Sequence, residues 1–455
     1  MNDQKGFSDM SKSGLHNLVA QTWSGTFKPP ESIPISADVV IIGGGIVGVS
    51  TAWFLAKQGI NVVLCEKGHI AGEQSGRNWG WIRQQNRDAR EMPMILESLK
   101  IWRTLADDIG EDVGYMETGC LYAAKDNDQL EKYATWLHTA EEHGINTRII
   151  SGKEVAQYAR GAAVTWKGGM YTASDGRAEP HKATPAIARA AARNGATILT
   201  ACAVRGLEIE TGHVSAVVTE HGTIKASIVL CAAGAWTSIF CQSLGISLPQ
   251  LKLRGTVVRT TPAENVLNGS LLTDQTGIRR RQDGGYTIAS WRLDHSITPS
   301  TLRHAFKFLP ALKEESIGAD PFAFLNLSIG CDFINEWRTP KQWRLDTESL
   351  FERTRVLNPD PNPRAIRDIQ TDLYTMFPQL IDTEIVETWA GIVETTPDVI
   401  PIIEESDTIP GFHIATGFSG HGFGIGPGAG KVIAGMLTGT STGIDLSEFR
   451  LSRFT

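Results

Sequence analysis

Residues 38–66, DVVIIGGGIVGVSTAWFLAKQGINVVLCE, decide the fold of this protein. The stretch opens with a continuous β-branched run before Gly43, which is typical of a strand buried on both faces of a parallel sheet. A helix is predicted from Ile46 to Lys57, closed by Gly59, and a second buried strand then ends at Glu66. The order of strand, helix and strand within about 30 residues predicts a βαβ unit.

The glycines of this unit have the spacing G-x-G-x-x-G at Gly43, Gly45 and Gly48. Gly43 allows a tight turn, Gly45 lets backbone N–H groups approach a pyrophosphate, and Gly48 packs the helix against the strand. Glu66 can accept hydrogen bonds from two ribose hydroxyls and would repel a 2′-phosphate. A glycine-rich turn between packed elements is the simpler alternative, but strand, helix, second strand and acidic residue occur here together. The stretch therefore predicts a dinucleotide site.

A second glycine-rich segment, TGFSGHGFGIGPGAGK, occupies residues 416–431. Too little chain follows it for another βαβ unit, so a second complete NAD site is not expected. We interpret it as a loop before a last helix, Gly428 to Leu437, that presents backbone N–H groups to the far end of one long cofactor. A flavin suits this arrangement because its reduced ring carries negative charge, which fixed dipoles stabilise. FAD is therefore the predicted cofactor; an NAD-linked dehydrogenase and a purely structural turn remain as alternatives.

The composition limits the classes of function. The chain has 455 residues, 43 Lys plus Arg, 50 Asp plus Glu and a net charge of -7, which gives no reason to expect a nucleic-acid partner. No apolar run approaches the ~20 residues of a transmembrane helix, so no transmembrane segment is expected. The six cysteines form no CxxC pair and no zinc spacing, so no metal site is predicted. Reduced cysteines make the cytoplasm the expected compartment.

The pattern of elements predicts an α/β protein with two domains and a short extension. Parallel-sheet patterns near the beginning, middle and end of the chain predict a discontinuous, Rossmann-like FAD-binding domain. More antiparallel patterns between them predict a substrate-binding domain of the α+β class with a mixed sheet. The predicted segments are 1–36 for an extension on the surface, 37–110, 172–250 and 380–455 for the FAD-binding domain, and 111–171 and 251–379 for the substrate-binding domain.

Four motifs together resemble the FAD-dependent D-amino-acid oxidase superfamily, most closely its branch of sarcosine oxidases, glycine oxidases and D-amino-acid dehydrogenases. The motifs are ADVVIIGGGIVGVSTAWFLAKQGINVVLCEK at 37–67, DGRAEPHKATPAIARAAARNGA at 175–196, ASIVLCAAGAW at 226–236 and GFSGHGFGIGPGAGK at 417–431. The resemblance implies oxidation of a C–N bond in an amine or amino acid. A hydride would pass from the α-carbon to flavin N5, and the resulting imine would hydrolyse in water.

The sequence also departs from this family. Glycine-oxidase-like members bind a substrate carboxylate with an arginine at the position of Val393, in the segment WAGIVE that begins at Trp389. Monomeric sarcosine oxidases attach FAD through a cysteine at the position of Gly391, so noncovalent FAD is expected here. Lysines found in the family correspond to Gly424 and, in a looser alignment, to Thr287. These departures leave the electron acceptor open between oxygen and another molecule.

Arg83 and His421 are the predicted catalytic residues. Arg83, in SGRNWGWIRQQ, matches a carboxylate-binding arginine of sarcosine oxidases and would also bind the substrate through a bidentate contact. An interdomain salt bridge is the alternative for Arg83. His421, in the second glycine-rich segment, would contact the flavin or the substrate, or else would only bond to backbone groups.

Three further residues are predicted to contact the substrate: Arg254, Tyr286 and Trp389. Arg254 lies on a strand that borders the active site in the family, whereas Tyr286 and Trp389 would be cavity walls or ordinary core residues. The run Arg279–Arg281 follows a strand pattern beside an Asp-Gly turn, and a solvated strand edge is its simplest interpretation.

The predicted cofactor-binding residues lie in seven short stretches of the chain. They are Gly43, Gly45, Ile46, Val47, Gly48, Glu66, Lys67, Ser75, Gly76, Arg77, Asn78, Trp79, Gly80, Val204, Ala233, Gly234, Trp236, Gly391, Gly420, His421, Gly422, Phe423 and Gly424.

The sequence thus predicts an FAD-dependent oxidase of an amine or of an amino acid, N-substituted ones included. One alternative is a flavin dehydrogenase that passes electrons to a quinone or a partner protein. Another is an FAD-binding subunit of a heteromeric amine or opine dehydrogenase, whose partner holds the active site. The sequence leaves the substrate and the oligomeric state open.

Overall fold

The computed structural model of the protein describes residue 27 and residues 31–309 and 325–454. Most of the predicted extension, 1–26 and 28–30, therefore lies outside the described residues. No helix in the described ranges is long and apolar enough to cross a bilayer. All six cysteines are free, and five of them, including Cys65 and Cys231, are buried.

The βαβ unit forms as the sequence predicts and lies at the centre of a six-stranded sheet. The first strand, Val39–Ile42, pairs in parallel with Val62–Cys65 on one side and with Ile228–Cys231 on the other. The first two are fully buried and the third is buried except at Ile228, which explains their continuous apolar sequences. In spatial order the strands are Ile402–Glu405, Phe412–Thr416, Ile228–Cys231, Val39–Ile42, Val62–Cys65 and Thr197–Leu199, and only the first of them is antiparallel to its neighbour.

Three helices pack together beside this sheet: Ile46–Lys57, Pro180–Arg193 and Gly422–Thr438. The last helix begins at Gly422, so the prediction of a loop up to Gly428 is wrong. Tertiary packing outweighs the low helix propensity of glycine here. A Cβ at Gly426 would lie 2.7 Å from the Ile46 side chain, and one at Gly428 would overlap the Met94 carbonyl oxygen. The glycines therefore let the helices approach closely.

A nine-stranded mixed sheet forms the second layer. Its main path runs Ile385–Thr395, Leu251–Thr260, Tyr286–Ser296, Thr276–Arg280, Ser270–Leu272, Cys120–Ala124, Gly168–Thr172 and Thr147–Ser151, and Leu325–Ser328 pairs with Tyr286–Ser296. Strand Ile385–Thr395 pairs along its length with Leu251–Thr260, although the prediction grouped it with the FAD-binding segments. The α/β class with a second, mixed sheet is as predicted.

The remaining elements connect and cover the two large sheets. Two small sheets comprise Val204–Glu210, His213–Thr219 and Gly222–Lys225, and Trp81–Ile82, Gly176–Arg177 and Met116–Glu117. The other α-helices are Gln74–Arg77, Met92–Ile109, Asn127–Thr135, Leu137–Glu142, Gly152–Tyr158, Thr237–Ser243, Pro299–Phe308, Cys331–Arg338, Leu350–Arg353 and Pro363–Met376. Short 3-10 helices span Ala89–Glu91, Gly234–Trp236, Pro378–Leu380, Ser447–Phe449 and Leu451–Phe454.

Candidate cofactor and substrate site

A cavity of about 810 Å³ lies between the two large sheets, within the range of ~300–1,000 Å³ that is usual for cofactor and ligand sites. Gly43 from the first glycine-rich segment and Gly420 from the second both line it. The structure therefore brings together segments that are more than 370 residues apart. One end lies at the carboxyl edge of the parallel strands, where open α/β sheets bind ligands.

The first glycine-rich turn has the geometry that its spacing predicts. Gly43 has φ +114°, and a Cβ there would overlap the Ala232 carbonyl oxygen, so only glycine fits this turn. A Cβ at Gly48 would overlap the Gly43 carbonyl oxygen, so this glycine allows the helix to pack on the turn. At Gly45 the nearest atom to a Cβ would be the Ser75 hydroxyl oxygen, at 3.2 Å. The turn thus leaves its backbone open to the cavity beside a helix N-terminus.

Glu66 organises the same end of the cavity. Its Oε2 accepts a hydrogen bond from the Gly44 N–H at 2.7 Å, and its Oε1 accepts one from the Gly68 N–H at 2.7 Å. Burial raises the pKa of Glu66 above its ordinary value, and these backbone N–H groups act in the opposite direction. The carboxylate is therefore held at the end of the second strand, at the cavity wall.

Lys67 and Trp236 form one side of the cavity. The Lys67 ammonium pairs with Glu73 at 2.9 Å and lies 4.2 Å from the centre of the Trp236 ring. The Trp236 indole N–H donates to the Glu73 carboxylate at 3.0 Å. Residues 351–356 cover this side, where Phe351 and Arg355 line the cavity. No sequence pattern predicted this contribution.

The loop before Trp81 reaches the middle of the cavity, and Arg77 anchors it. The Arg77 guanidinium donates to the carbonyl oxygens of Gly72 and Ala390, each at 3.0 Å. The Trp389 indole N–H donates to the Arg77 carbonyl oxygen at 2.9 Å. Trp389 itself does not line the cavity, so its predicted contact with substrate is wrong, and it supports the loop instead.

Arg83 and His421 meet at the far end of the cavity. Nη2 of Arg83 lies 3.4 Å from Nε2 of His421, whose Nδ1 lies 3.2 Å from Oε2 of Glu91. Burial lowers the pKa of His421 to about 4, and the nearby Arg87 acts in the same direction while Glu91 opposes it. His421 is therefore neutral, with Nδ1–H donating to Glu91 and Nε2 accepting from Arg83.

Aromatic rings enclose this end of the cavity. Trp79 makes edge-to-face contacts with Trp81 and Trp291, both at 5.5 Å between ring centres, and all three line the cavity. Tyr122 adds a fourth ring, 5.8 Å from the Arg83 guanidinium. The indole N–H of Trp81 is buried and has no hydrogen-bond partner among the described residues. The far end is therefore largely apolar, with a small number of polar groups.

Two other predicted substrate contacts do not reach the cavity wall. Tyr286 is fully buried in the core, where its hydroxyl donates to the Glu264 carbonyl oxygen at 2.6 Å. Arg254 pairs with Asp294 at 2.9 Å, while its neighbours Leu253 and Gly255 line the cavity. Side chains alternate along a strand, so Arg254 lies on the opposite face from these neighbours. Both predictions are wrong.

The interpretation of Arg279–Arg281 as a solvated strand edge is also wrong. Arg279 is 1% exposed and pairs with Glu179 at 2.9 Å and 3.2 Å. Glu179 comes immediately before the helix that begins at Pro180, and no sequence spacing links it to the arginine run. The buried pair joins strand Thr276–Arg280 to the start of helix Pro180–Arg193. It lies close to Gly80, where a Cβ would be 2.8 Å from the Arg279 guanidinium carbon.

The other predicted cofactor residues divide into two groups. Gly48, Gly76, Gly80 and Gly424 do not line the cavity, whereas the other predicted cofactor-binding residues do. Gly424 instead directs its carbonyl oxygen to the Trp102 indole N–H at 2.9 Å and to the Ser98 hydroxyl at 2.7 Å. It therefore packs the last helix against its neighbour.

A family model for FAD-dependent oxidoreductases, DAO, matches residues 38–436. The chain belongs to this family. The resemblance to the D-amino-acid oxidase superfamily, the place in a family of FAD-dependent oxidoreductases and the prediction of FAD are thereby confirmed. The cavity fits FAD for two reasons. Gly45 lines it, and only the Ser75 hydroxyl oxygen lies within 4 Å of a Cβ placed there. The buried Trp81 N–H also has no hydrogen-bond partner among the described residues.

The chain is similar to proteins with different enzyme names. An L-amino acid deaminase of Proteus myxofaciens, solved with anthranilate, is 34% identical with a TM-score of 0.89, covering 94% of this chain and 96% of its own. Mitochondrial sarcosine dehydrogenase of Mus musculus is 24% identical over 94% of this chain, which spans 42% of that protein's length. Glycine oxidase of Geobacillus kaustophilus (strain HTA426) is 24% identical and covers 91% of this chain and 97% of its own.

One acidic residue of this DAO-family cavity was missed by sequence reasoning. Glu394 is 3% exposed and lines the cavity wall. Burial raises its pKa to about 7, while a hydrogen bond from the Gln74 amide acts in the opposite direction. Its position next to Val393, where glycine-oxidase-like members carry an arginine, was the feature of the sequence that pointed to it.

Proposed function

We propose that this chain catalyses the FAD-dependent oxidation of a C–N bond in an amino acid or amine, with noncovalent FAD. The observation that carries the proposal is the single cavity that joins the Gly43 turn to the aromatic end holding Arg83 and His421. FAD, when bound, accepts a hydride at N5, and the imine left behind hydrolyses in water.

Arg83 is the proposed binding residue for a substrate carboxylate. Its guanidinium has five N–H donors, and those of Nη1 point to the carbonyl oxygens of Gln85 and Asn86 while Nη2 contacts His421. Nε–H and one Nη2–H have no protein partner among the described residues. These two donors suffice for a carboxylate, which guanidinium groups bind in a bidentate manner.

Val393 supports the choice of Arg83. It lines the cavity at the position where glycine-oxidase-like members carry an arginine, and a valine side chain offers no donor to a carboxylate. A substrate acid would therefore be bound by Arg83 and not at the position of Val393. This arrangement favours a pose different from that of a glycine-oxidase-like pocket.

The aromatic walls are proposed to prepare the substrate amine. An amine must be neutral to give up a hydride from its α-carbon, and a dry apolar site disfavours the ammonium form. Trp79, Trp81 and Trp291 supply such a surface. Neutral His421 adds no positive charge of its own, so the proposal assigns the carboxylate to Arg83 and not to the histidine.

A dehydrogenase that passes electrons to a quinone or a protein is the second candidate. Thr287 aligns loosely with a lysine of the family. It is buried, does not line the cavity and accepts hydrogen bonds from Arg279 and Arg281. Gly424 likewise offers no side chain. Neither position therefore carries the lysine that is associated in the family with the reaction of oxygen.

The test is a spectroscopic screen of the purified protein. We expect a flavin absorption spectrum, released as free FAD on denaturation, and anaerobic bleaching by an amino acid or amine from a panel of L-, D- and N-alkyl amino acids. Oxygen consumption compared with dye reduction then separates oxidase from dehydrogenase. A yellow protein that no compound of the panel bleaches would contradict the catalytic proposal and favour a noncatalytic FAD-binding subunit.

A further inference from the structure

Glu394 lies between Gln74, Gly234 and the start of the second glycine-rich segment. The Gln74 amide donates to its Oε2, and a Cβ on Gly234 would lie 3.8 Å from the same oxygen. The backbone N–H groups of Gly417 and Phe418 also act to lower the pKa of its carboxyl group. All of these residues except Gly417 line the cavity, so the carboxyl group faces the space that the cofactor enters.

Lys252 is the cation that stands opposite Glu394 in the sheet. The two residues are paired in register on neighbouring strands. The Lys252 ammonium, however, lies 5.6 Å from the centre of the Trp236 ring, and burial lowers its pKa. It forms no ion pair with Glu394 among the described residues, although the charge of Glu394 acts to raise the Lys252 pKa.

The other charged groups packed nearby are bound to other partners. Lys67 pairs with Glu73 at 2.9 Å, and the Arg77 guanidinium donates to carbonyl oxygens. Among the described residues, all the hydrogen-bond donors to Glu394 are therefore neutral groups. A buried carboxylate without a counter-ion is costly, and such groups tend to stay protonated.

Bound FAD would add the negative charge of its pyrophosphate to this cavity and would exclude solvent from the cavity wall at Glu394. Both effects disfavour the carboxylate further, because like charges repel and desolvation penalises the ionised form. Glu66, at the other end, differs because ribose hydroxyls would donate to it and favour its ionised form. His421 is already neutral at pH 7.

We propose that Glu394 is a cofactor-contacting residue that holds FAD as a neutral carboxylic acid, so that binding of the cofactor takes up a proton at this side chain. A protonated carboxyl group donates a hydrogen bond, whereas a carboxylate only accepts. Glu394 would therefore change from a repelling group into a donor in the complex.

The experiment is calorimetric titration of the apoprotein with FAD at pH 8, in two buffers of different ionisation enthalpy. From a free pKa of about 7, we expect uptake of ~0.9 proton per FAD if the group is fully protonated in the complex. Glu394→Gln should abolish this uptake and bind FAD at pH 8 at least as tightly as the wild type.

Glu404→Gln is the matched control. Burial also raises the pKa of Glu404, but this residue does not line the cavity, so its variant should keep the wild-type proton uptake. Equal uptake by wild type and Glu394→Gln would overturn the proposal, as would no uptake by the wild type. Failure of the wild type to bind FAD at all would overturn the cofactor assignment as well.

A second measurement on the wild type alone covers the case in which Glu394→Gln does not fold. The dissociation constant for FAD should rise about tenfold per pH unit above pH 7 and level off below it. A dissociation constant that is independent of pH between 7 and 9 would contradict the proposal.

Discussion

The imidazole Nδ1–H of His421 donates a hydrogen bond to the fully buried carboxylate of Glu91 across 3.2 Å. This bond fixes the tautomer of the ring and directs Nε2 toward Arg83. Glu91 belongs to the short helix that precedes Met92–Ile109, whereas His421 precedes the last helix. The contact therefore ties the far end of the cavity together across 330 residues of sequence.

Glu91→Gln should weaken this control of the tautomer. We expect about a tenfold lower kcat/KM for the substrate found in the screen, equivalent to ~1.4 kcal/mol. Glu91 raises the pKa of His421, so the variant should also shift any limb of the pH profile due to His421 to lower pH. An unchanged pH profile together with an unchanged rate would show that the pair is structural only.

Arg83→Ala should raise KM at least tenfold for a substrate with a carboxylate, because each charge-assisted hydrogen bond contributes about 1.5–3 kcal/mol. Arg254→Ala is the control, since Arg254 pairs with Asp294 away from the cavity wall. Steady-state kinetics of the two variants should therefore differ. If both variants have the wild-type KM, Arg83 is not the carboxylate-binding residue.

Gly43→Ala should produce a protein without bound FAD. The new Cβ would overlap the Ala232 carbonyl oxygen, and φ is +114° at this position. Gly59→Ala in the same βαβ unit also has a positive φ, +77°, but no atom lies within 4 Å of its Cβ. It should keep its FAD and lose only about 1–2 kcal/mol of stability. The ratio of visible to ultraviolet absorbance distinguishes them.

Tyr286→Phe should lower stability but leave substrate binding unchanged. It removes the hydroxyl that donates to Glu264 and accepts from the Val266 N–H at 2.9 Å, which costs about 1–3 kcal/mol when a buried group loses its partner. Denaturant unfolding measures this loss. A changed KM with normal stability would instead return Tyr286 to the substrate site.

Glu394→Gln should stabilise the apoprotein at pH 8 more than at pH 5. The folded-state pKa of Glu394, about 7, lies above its ordinary value of 4.5, so the folded state binds more protons between these values. Stability due to this group therefore falls as pH rises from 4.5 to 7, and the penalty is complete above pH 7. Urea unfolding of both apoproteins at the two pH values tests the sign.

The sequence by itself determined the βαβ unit, the Gly43 turn and the acidic residue at the end of the second strand. These features are local: β-branched runs, glycine spacing and a terminal carboxylate within 29 residues leave little choice of conformation. The convergence of both glycine-rich segments on one cavity was also predictable, because a single long cofactor explains two such segments and one βαβ unit.

Only the tertiary structure decided which side chains face that cavity. Alternation along a strand separates Arg254 from Leu253 and Gly255, but it does not say which face of the strand meets the cofactor. Tyr286 and Arg279 are core residues because distant partners, Glu264 and Glu179, satisfy their polar atoms. The electrostatic environment of Glu394 has the same origin, since its burial and its neutral donors come from segments far apart in the chain. Burial and long-range pairing are properties of the packed molecule, and no short stretch of sequence specifies them.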